Sequence, residues 1–408
     1  MPCRLVNTLM PAASAVPLSW ASWLADEKAQ RVTQSLWREK QPLDSAQSTR
    51  VLLQDQWLHN FCSNDYLGLA NDDELKTYAQ QALAQHGVGA GSATLVCGHH
   101  REHQALQEEL ADWLGVESVL LFGSGYMANM GVLTALLGKG DAVFQDRLNH
   151  ASLLDGGLAS GARQQRYIHN DCADLARRLV ANTARRTLIA SDGVFSMDGD
   201  IAPVAQLQRL AAQHDALLLL DEAHAFGVIG DAGRGSVSVA GLDSDAVALR
   251  IGTLGKAFGG YGAFVAGPKD LIDMIQQLAR PAIYTTALPP AWAATMRKSL
   301  QLVQGDDWRR QRLTELIKML RQGLQQQGWS LLPSSTPIQP VLVGSAQRAL
   351  DLAHALRQRG FLVSAIRPPT VPLGTARLRI TLSAGHDPQA VSELLAAMAG
   401  MAKHFNHE

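Results

Sequence analysis

Leu217-Leu218-Leu219-Leu220-Asp221-Glu222-Ala223-His224 is the stretch on which the reading of this chain turns. Four leucines in succession show no alternation, so both faces of the segment are apolar, as in a strand covered by helices on both sides. The run stops at Asp221, with Glu222 next and His224 three residues past the aspartate. These polar groups stand at the carboxyl end of a buried strand, where open α/β sheets place their ligands. Working outward, short apolar runs at residues 119–122, 142–144, 188–190 and 246–251 alternate with helical patterns at 101–114, 127–137, 152–160 and 204–214. The alternation predicts an α/β architecture, a mostly parallel sheet flanked by helices.

Toward the N-terminus, residues 22–39 read as an amphipathic helix, and residues 51–53 with 57–61 as a short hairpin. After Pro289-Pro290 the pattern changes to long helices at 291–303 and 308–327, then strand, helix, strand and helix. The expected division is therefore 1–60 for an extension, helix and hairpin, 61–288 for a large domain and 289–408 for a smaller α+β C-terminal domain. A chain of 408 residues has the length for that. Net charge −1, 47% apolar and 18% charged residues describe a globular chain without the basic face that nucleic acid or a membrane surface would require. Cys3, Cys62, Cys97 and Cys172 are scattered without a C-x-x-C pair, which points to a reduced, cytoplasmic protein. Apolar runs such as 216–220 fall far short of the ~20 residues that a membrane helix needs. Residues 1–17 hold one arginine, three prolines and no strong apolar block, and read as a frayed extension rather than an export signal.

Gly123-Ser124-Gly125-Tyr126-Met127-Ala128 follows a strand and opens a helix. Its glycines allow close backbone approach, and the free N–H groups of the helix start favour an anion. A dinucleotide site fits these residues, and so does a tight turn with no ligand. The Asp221 segment resembles the metal-holding box of helicase-type ATPases, but that reading needs a G-x-x-x-x-G-K-[ST] partner. At the nearest candidate, Arg250 replaces the first glycine and Ala257 the serine or threonine. His99, His100 and His103 do not match H-E-x-x-H and read as a surface cluster, so no metal is expected. In Thr253-Leu254-Gly255-Lys256-Ala257-Phe258-Gly259-Gly260, a lysine between glycines follows a buried strand. Desolvation there would lower its pKa and make it nucleophilic. The plain alternative is a solvated loop lysine.

A phosphate cradle, then an aspartate, then a lysine 35 residues later have one joint chemical sense. They are the parts that pyridoxal 5'-phosphate (PLP) needs: a phosphate site, a carboxylate that keeps the pyridine nitrogen protonated, and a Schiff-base lysine.

From about Ser19 to His404 the chain resembles the α-oxoamine synthase family of fold-type I PLP transferases. The resemblance is carried by Asn64-Asp65-Tyr66-Leu67-Gly68-Leu69, by residues 192–200, by Asp221-Glu222-Ala223-His224 and by Thr253-Leu254-Gly255-Lys256. Residues 365–372 and 374–379 are most similar to the acyltransferase branch that serves biotin biosynthesis. That implies decarboxylative condensation of L-alanine with a pimeloyl thioester, on coenzyme A or acyl carrier protein, in a homodimer. It also implies roles. Lys256 carries PLP and takes the alanine α-proton, Asp221 pairs with the ring nitrogen, and His150 stacks on the ring. His224 and Ser196 meet the ring hydroxyl, while Gly125, Tyr126 and Thr253 take the phosphate. Arg367 holds the alanine carboxylate, Asn64 and Arg38 contact substrate, and Thr370 lines the acyl pocket. Asp192 stands where relatives often carry glutamate. Another α-oxoamine synthase, of the glycine C-acetyltransferase or 5-aminolevulinate synthase type, is the alternative inside the family. A PLP aldolase or aminotransferase, or a nicotinamide dehydrogenase resting on Gly123 to Ala128, lies outside it.

Overall fold

The structure, a computed structural model, describes residues 16–405. The extension expected at residues 1–17 therefore lies, up to residue 15, outside the described residues. In chain order the strands are β1 (Arg50–Leu53), β2 (Gln56–Asn60), β3 (Ser118–Phe122), β4 (Ala142–Asp146), β5 (Arg163–Tyr167), β6 (Thr187–Asp192) and β7 (Ala216–Asp221). They continue with β8 (Leu249–Thr253), β9 (Ala263–Gly267), β10 (Ile338–Gly344), β11 (Phe361–Leu362), β12 (Ser364–Ile366) and β13 (Ala376–Thr381).

The leucine run behaves as its pattern requires. Leu218 and Leu220 pack with Phe144, Ile189 and Leu207 on one face of β7, and Leu219 with Val143, Leu188 and Ile251 on the other. Period-two alternation explains the split, and helices on both faces explain why neither side is polar. The central sheet runs β3-β9-β8-β7-β6-β4-β5. β8, β7, β6, β4 and β5 pair in parallel, whereas β9 is antiparallel to both its neighbours. Two reversals across β9 give β3 the same polarity as the parallel set. Phe122, Asp146, Asp192, Asp221 and Thr253 thus close their strands at one edge.

A second sheet, β10-β13-β12, is antiparallel, and the helix Ala346–Gln358 packs against it. The hairpin β1-β2 is completed by β11, which pairs in parallel with β2, so residues from both ends of the chain share one sheet.

Three local features differ from the sequence reading. The first helix is Leu18–Thr33, not 22–39, because Ser35 turns to φ 57° and Leu36 and Trp37 fold back onto the Arg31 carbonyl. The strand expected at 246–251 is Leu249–Thr253, since Ala246 closes a turn on Asp243 before it begins. β5 carries Arg163, Gln164, Gln165 and Arg166. It sits at the sheet edge beside β4 alone, so no apolar run announces it.

Candidate active site

Beyond the common strand edge lies a cleft of about 180 Å³ lined by Gly125, Tyr126, Asn129, His150, Ser152, Asp192, Val194, Ser196, Asp221, Ala223, His224, Thr253 and Lys256. β3 leads to Gly125, β4 to His150, β6 to Ser196, β7 to His224 and β8 to Lys256, each within four residues of its strand's end. Every residue expected to bind the cofactor lines this space.

The helix Gly125–Leu136 starts here, with Ser124 as its cap through Oγ to the Met127 amide. The first amides of a helix have no intrahelical acceptor, and a Cβ built on Gly125 would meet nothing within 4 Å. The start of this helix is therefore open to an anion. Four residues into it, Asn129 donates to Asp221 Oδ2 at 2.6 Å and to Ser152 Oγ at 2.8 Å. The Ala223 amide holds Asp221 Oδ1 at 3.0 Å. Asp221 is thus fixed by two donors, one from its own loop and one from the helix that starts at Gly125.

Lys256 Nζ lies 2.8 Å from His224 Nε2, and His224 Nδ1 lies 2.5 Å from the Tyr66 hydroxyl. Tyr66 donates in turn to Asn64 Oδ1, which also accepts from Arg379 Nη2 at 3.1 Å. One assignment satisfies the whole chain: Lys256 donates to Nε2, and a neutral His224 donates from Nδ1. Burial, Lys256 and Arg379 all push the His224 pKa well down, which agrees with the neutral ring. Burial also lowers Lys256, to about 8, although Asp221 and Asp192 pull the other way. Burial and the charge of Asp221 push Asp192 well above the usual carboxylate range. His150 is lowered, chiefly by burial; its Nδ1 meets Ser152 Oγ at 2.7 Å, and its ring stands edge-on to Tyr126.

The residues expected to bind substrate divide into two groups. His150 lines the cleft, and Asn64 closes the hydrogen-bond chain from Lys256. Arg38, Arg367 and Thr370 meet one another elsewhere. Arg38 Nη2 donates to Thr370 Oγ1 at 2.9 Å, and Arg367 donates to the carbonyls of Ser35 and Trp37 at 2.7 and 3.1 Å. None of the three is among the residues lining the cleft. Sequence reasoning missed Asn129, Ser152 and Arg379. Arg379 is buried on β13 and donates to the Ser196 carbonyl, Thr381 Oγ1 and Asn64 Oδ1, all neutral oxygens. Among the described residues it has no carboxylate within salt-bridge distance.

The donor set fits PLP. An anion site at the helix start, a fixed carboxylate, a neutral imidazole and a lysine of lowered pKa face one cleft of suitable size, and each answers a different group of that cofactor.

Residues 58–398 match the family profile of aminotransferase class I and II. The chain is 52% identical over 372 residues to the 8-amino-7-oxononanoate synthase of Cellvibrio japonicus, covering 91% of this chain and 94% of that one. Among solved structures, a serine palmitoyltransferase variant from S. paucimobilis with a bound PLP–myriocin aldimine superposes with TM-score 0.90 at 28% identity, covering 96% of this chain and 99% of that one. The 8-amino-7-oxononanoate synthase of Francisella tularensis superposes with TM-score 0.76 at 28% identity, over 86% of this chain and 99% of that one.

The lowered pKa of Lys256 has a direct test. Competitive acetylation of cofactor-free protein should show Lys256 reactivity rising with pH and levelling off above about 8. An ordinary lysine continues to rise toward ~10.4. A Lys256 profile still climbing past pH 10 would contradict the burial argument.

Proposed function

We propose, from the premise that this chain belongs to the aminotransferase class I and II family, that it condenses L-alanine with a pimeloyl thioester to give 8-amino-7-oxononanoate, carbon dioxide and a free thiol. The observation that carries this reading is the convergence of Lys256, Asp221 and an anion-binding helix start on one cleft, in a chain more than half identical to synthases of that name.

PLP, when bound, supplies an electron sink that lets an amino-acid α-carbon give up its proton. The amides of Gly125 and Tyr126, with Thr253, would hold its phosphate. Asp221, kept in place by Asn129 and Ala223, would hold the ring nitrogen in its protonated form. His224 and Ser196 would hold the ring hydroxyl, His150 would cover the ring face, and Lys256 would bind the aldehyde carbon covalently.

Lys256, whose pKa burial lowers to about 8, would then serve as the base that takes the alanine α-proton. A bond then forms between the alanine α-carbon and the thioester carbonyl carbon. The C–S bond breaks, and the departing thiolate takes a proton from solvent. The alanine carboxylate is now β to a ketone, and the Cα–carboxylate bond breaks to release carbon dioxide. Lys256 returns a proton to the α-carbon.

We assign the alanine carboxylate to Arg379, and this moves to Arg379 the role expected of Arg367. Arg379 presents a buried guanidinium with only neutral oxygens around it, one bond network away from Lys256. Arg367 spends its donors on the carbonyls of Ser35 and Trp37, so it anchors the segment after the first helix. Arg38 and Thr370 complete that anchor and would border the acyl path.

The working form is a homodimer in the cytoplasm. The helix Leu18–Thr33 buries none of its residues, and Trp20, Trp23 and Leu24 lie bare on it, as an interface with a second copy would require. Cys62, Cys97 and Cys172 are free thiols, which suits a reducing compartment. No helix among the described residues is long and apolar enough to cross a membrane.

Two measurements test the reading. Incubation with alanine and a panel of acyl thioesters should yield the C9 amino-ketone and release the alanine carboxyl carbon as carbon dioxide; pyruvate as the main product would point to an aminotransferase instead. Arg379→Ala should weaken alanine use by roughly 2–5 kcal/mol, as for a desolvated charge pair, with Arg367→Ala costing less. The reverse order would return the carboxylate to Arg367.

A further inference from the structure

On the far side of the cleft wall, His169 stands between two carboxylates. Its Nδ1 lies 3.0 Å from Asp146 Oδ1, and its Nε2 lies 2.8 Å from Asp200 Oδ2. Carboxylate oxygens only accept, so both ring nitrogens must carry protons and the ring is an imidazolium. Burial opposes that charge, but the two carboxylates outweigh it and lift the His169 pKa to about 10. His169, Asp198 and Asp200 have the spacing of a metal cluster. A doubly protonated ring has no lone pair for a metal, however, and Asp198 is already paired with Arg377 at 2.5 Å.

The two carboxylates belong to segments that deliver different lining residues of the cleft. Asp146 ends β4, is fully buried, and takes the Leu148 amide at 2.8 Å, so it shapes the turn that delivers His150. Its other oxygen takes the Asn170 amide at 2.8 Å. Asp200 closes the loop after β6: its carbonyl accepts from the Phe195 amide, and the Asn170 side chain donates to its carboxylate at 2.7 Å. The edge of one ring meets the face of the other where His169 and Phe195 cross at 90°, 4.4 Å apart. Val194 and Ser196, the neighbours of Phe195, line the cleft. From the other side, the C-terminal part of the chain grips the same loop. Ser334 and Thr336 donate to the Gly199 carbonyl, and Arg379 donates to that of Ser196.

We propose that His169 is a positioning residue of this cleft: its imidazolium ties the turn that carries His150 to the loop that carries Val194 and Ser196, and so fixes the distance between two walls of the site. The inference rests on the reading of the cleft as the cofactor and alanine site. It assigns His169 no contact with either.

The test uses holoenzyme with His169→Gln, which retains one donor arm, and His169→Phe, which keeps an aromatic ring against Phe195 and loses both. Hydrogen exchange should rise together in residues 147–152 and 194–200, with the helix Asp307–Gln326 unchanged. The pH at which the visible spectrum of the bound cofactor changes should shift. The alanine KM should rise at least ~10-fold while the thioester KM changes little, because misplacement by about an ångström at one subsite is enough for that. Asp200→Asn, the milder cut, should loosen 194–200 alone. Unchanged exchange in either segment of His169→Phe, or equal losses for both substrates with an unmoved spectrum, would overturn the proposal. If alanine and thioesters give no condensation product while the two segments still loosen together, the assigned reaction fails and the latch stands.

Discussion

Four parallel strands buried on both faces, β4, β6, β7 and β8, can present polar chemistry at only two places, and the hydrogen-bonded register leaves one of them productive. Leu218, Leu219 and Leu220 have no exposed face to give to a functional group. Function is displaced to the point where each strand ends, and the common polarity of β3, β4, β6, β7 and β8 makes those points neighbours. The antiparallel β9 is what brings β3, with its glycine-rich turn, to the same edge as β8, with its lysine. Asn129 then crosses from the helix after β3 to Asp221 after β7, linking segments 92 residues apart through a single 2.6 Å hydrogen bond.

Burial has an electrostatic consequence that the site exploits. A charge taken out of water is unfavourable unless it is paired, so groups in such a place settle toward neutrality. His224 and His150 are held neutral, Asp192 is pushed toward its protonated form, and Lys256 is brought to about 8. Outside the cleft wall the opposite solution operates: His169 keeps its charge because it has a carboxylate on each nitrogen. Neutral rings toward the cofactor and a charged ring behind the wall are two outcomes of the same competition, decided by the presence or absence of a facing acid.

The parts of this arrangement that were legible in the sequence are those written in consecutive residues. The leucine run with Asp221 and His224, the glycines before Tyr126, and Lys256 after its strand announced both the sheet and its chemistry, because each lies within a few residues of a strand end. Asn129 was not legible: it interrupts an apolar helix, and only the fold reveals that it faces Asp221. Arg377 and Arg379 alternate along β13 like residues of a solvent face, and nothing local says that both are buried against the 196–198 loop. Arg367 shows the converse. The resemblance implied that it holds a substrate carboxylate, whereas in the fold it donates to main-chain carbonyls more than 300 residues earlier in the chain.

The central claim is that these strand ends converge on one covalent cofactor. Reduction of the yellow holoenzyme with borohydride, followed by digestion and mass spectrometry, reads that claim directly. The account predicts a single pyridoxyl-modified peptide bearing the label on Lys256, and no labelled peptide from Lys256→Ala. Label on another lysine, or a holoenzyme that releases all its cofactor unmodified after reduction, would contradict it.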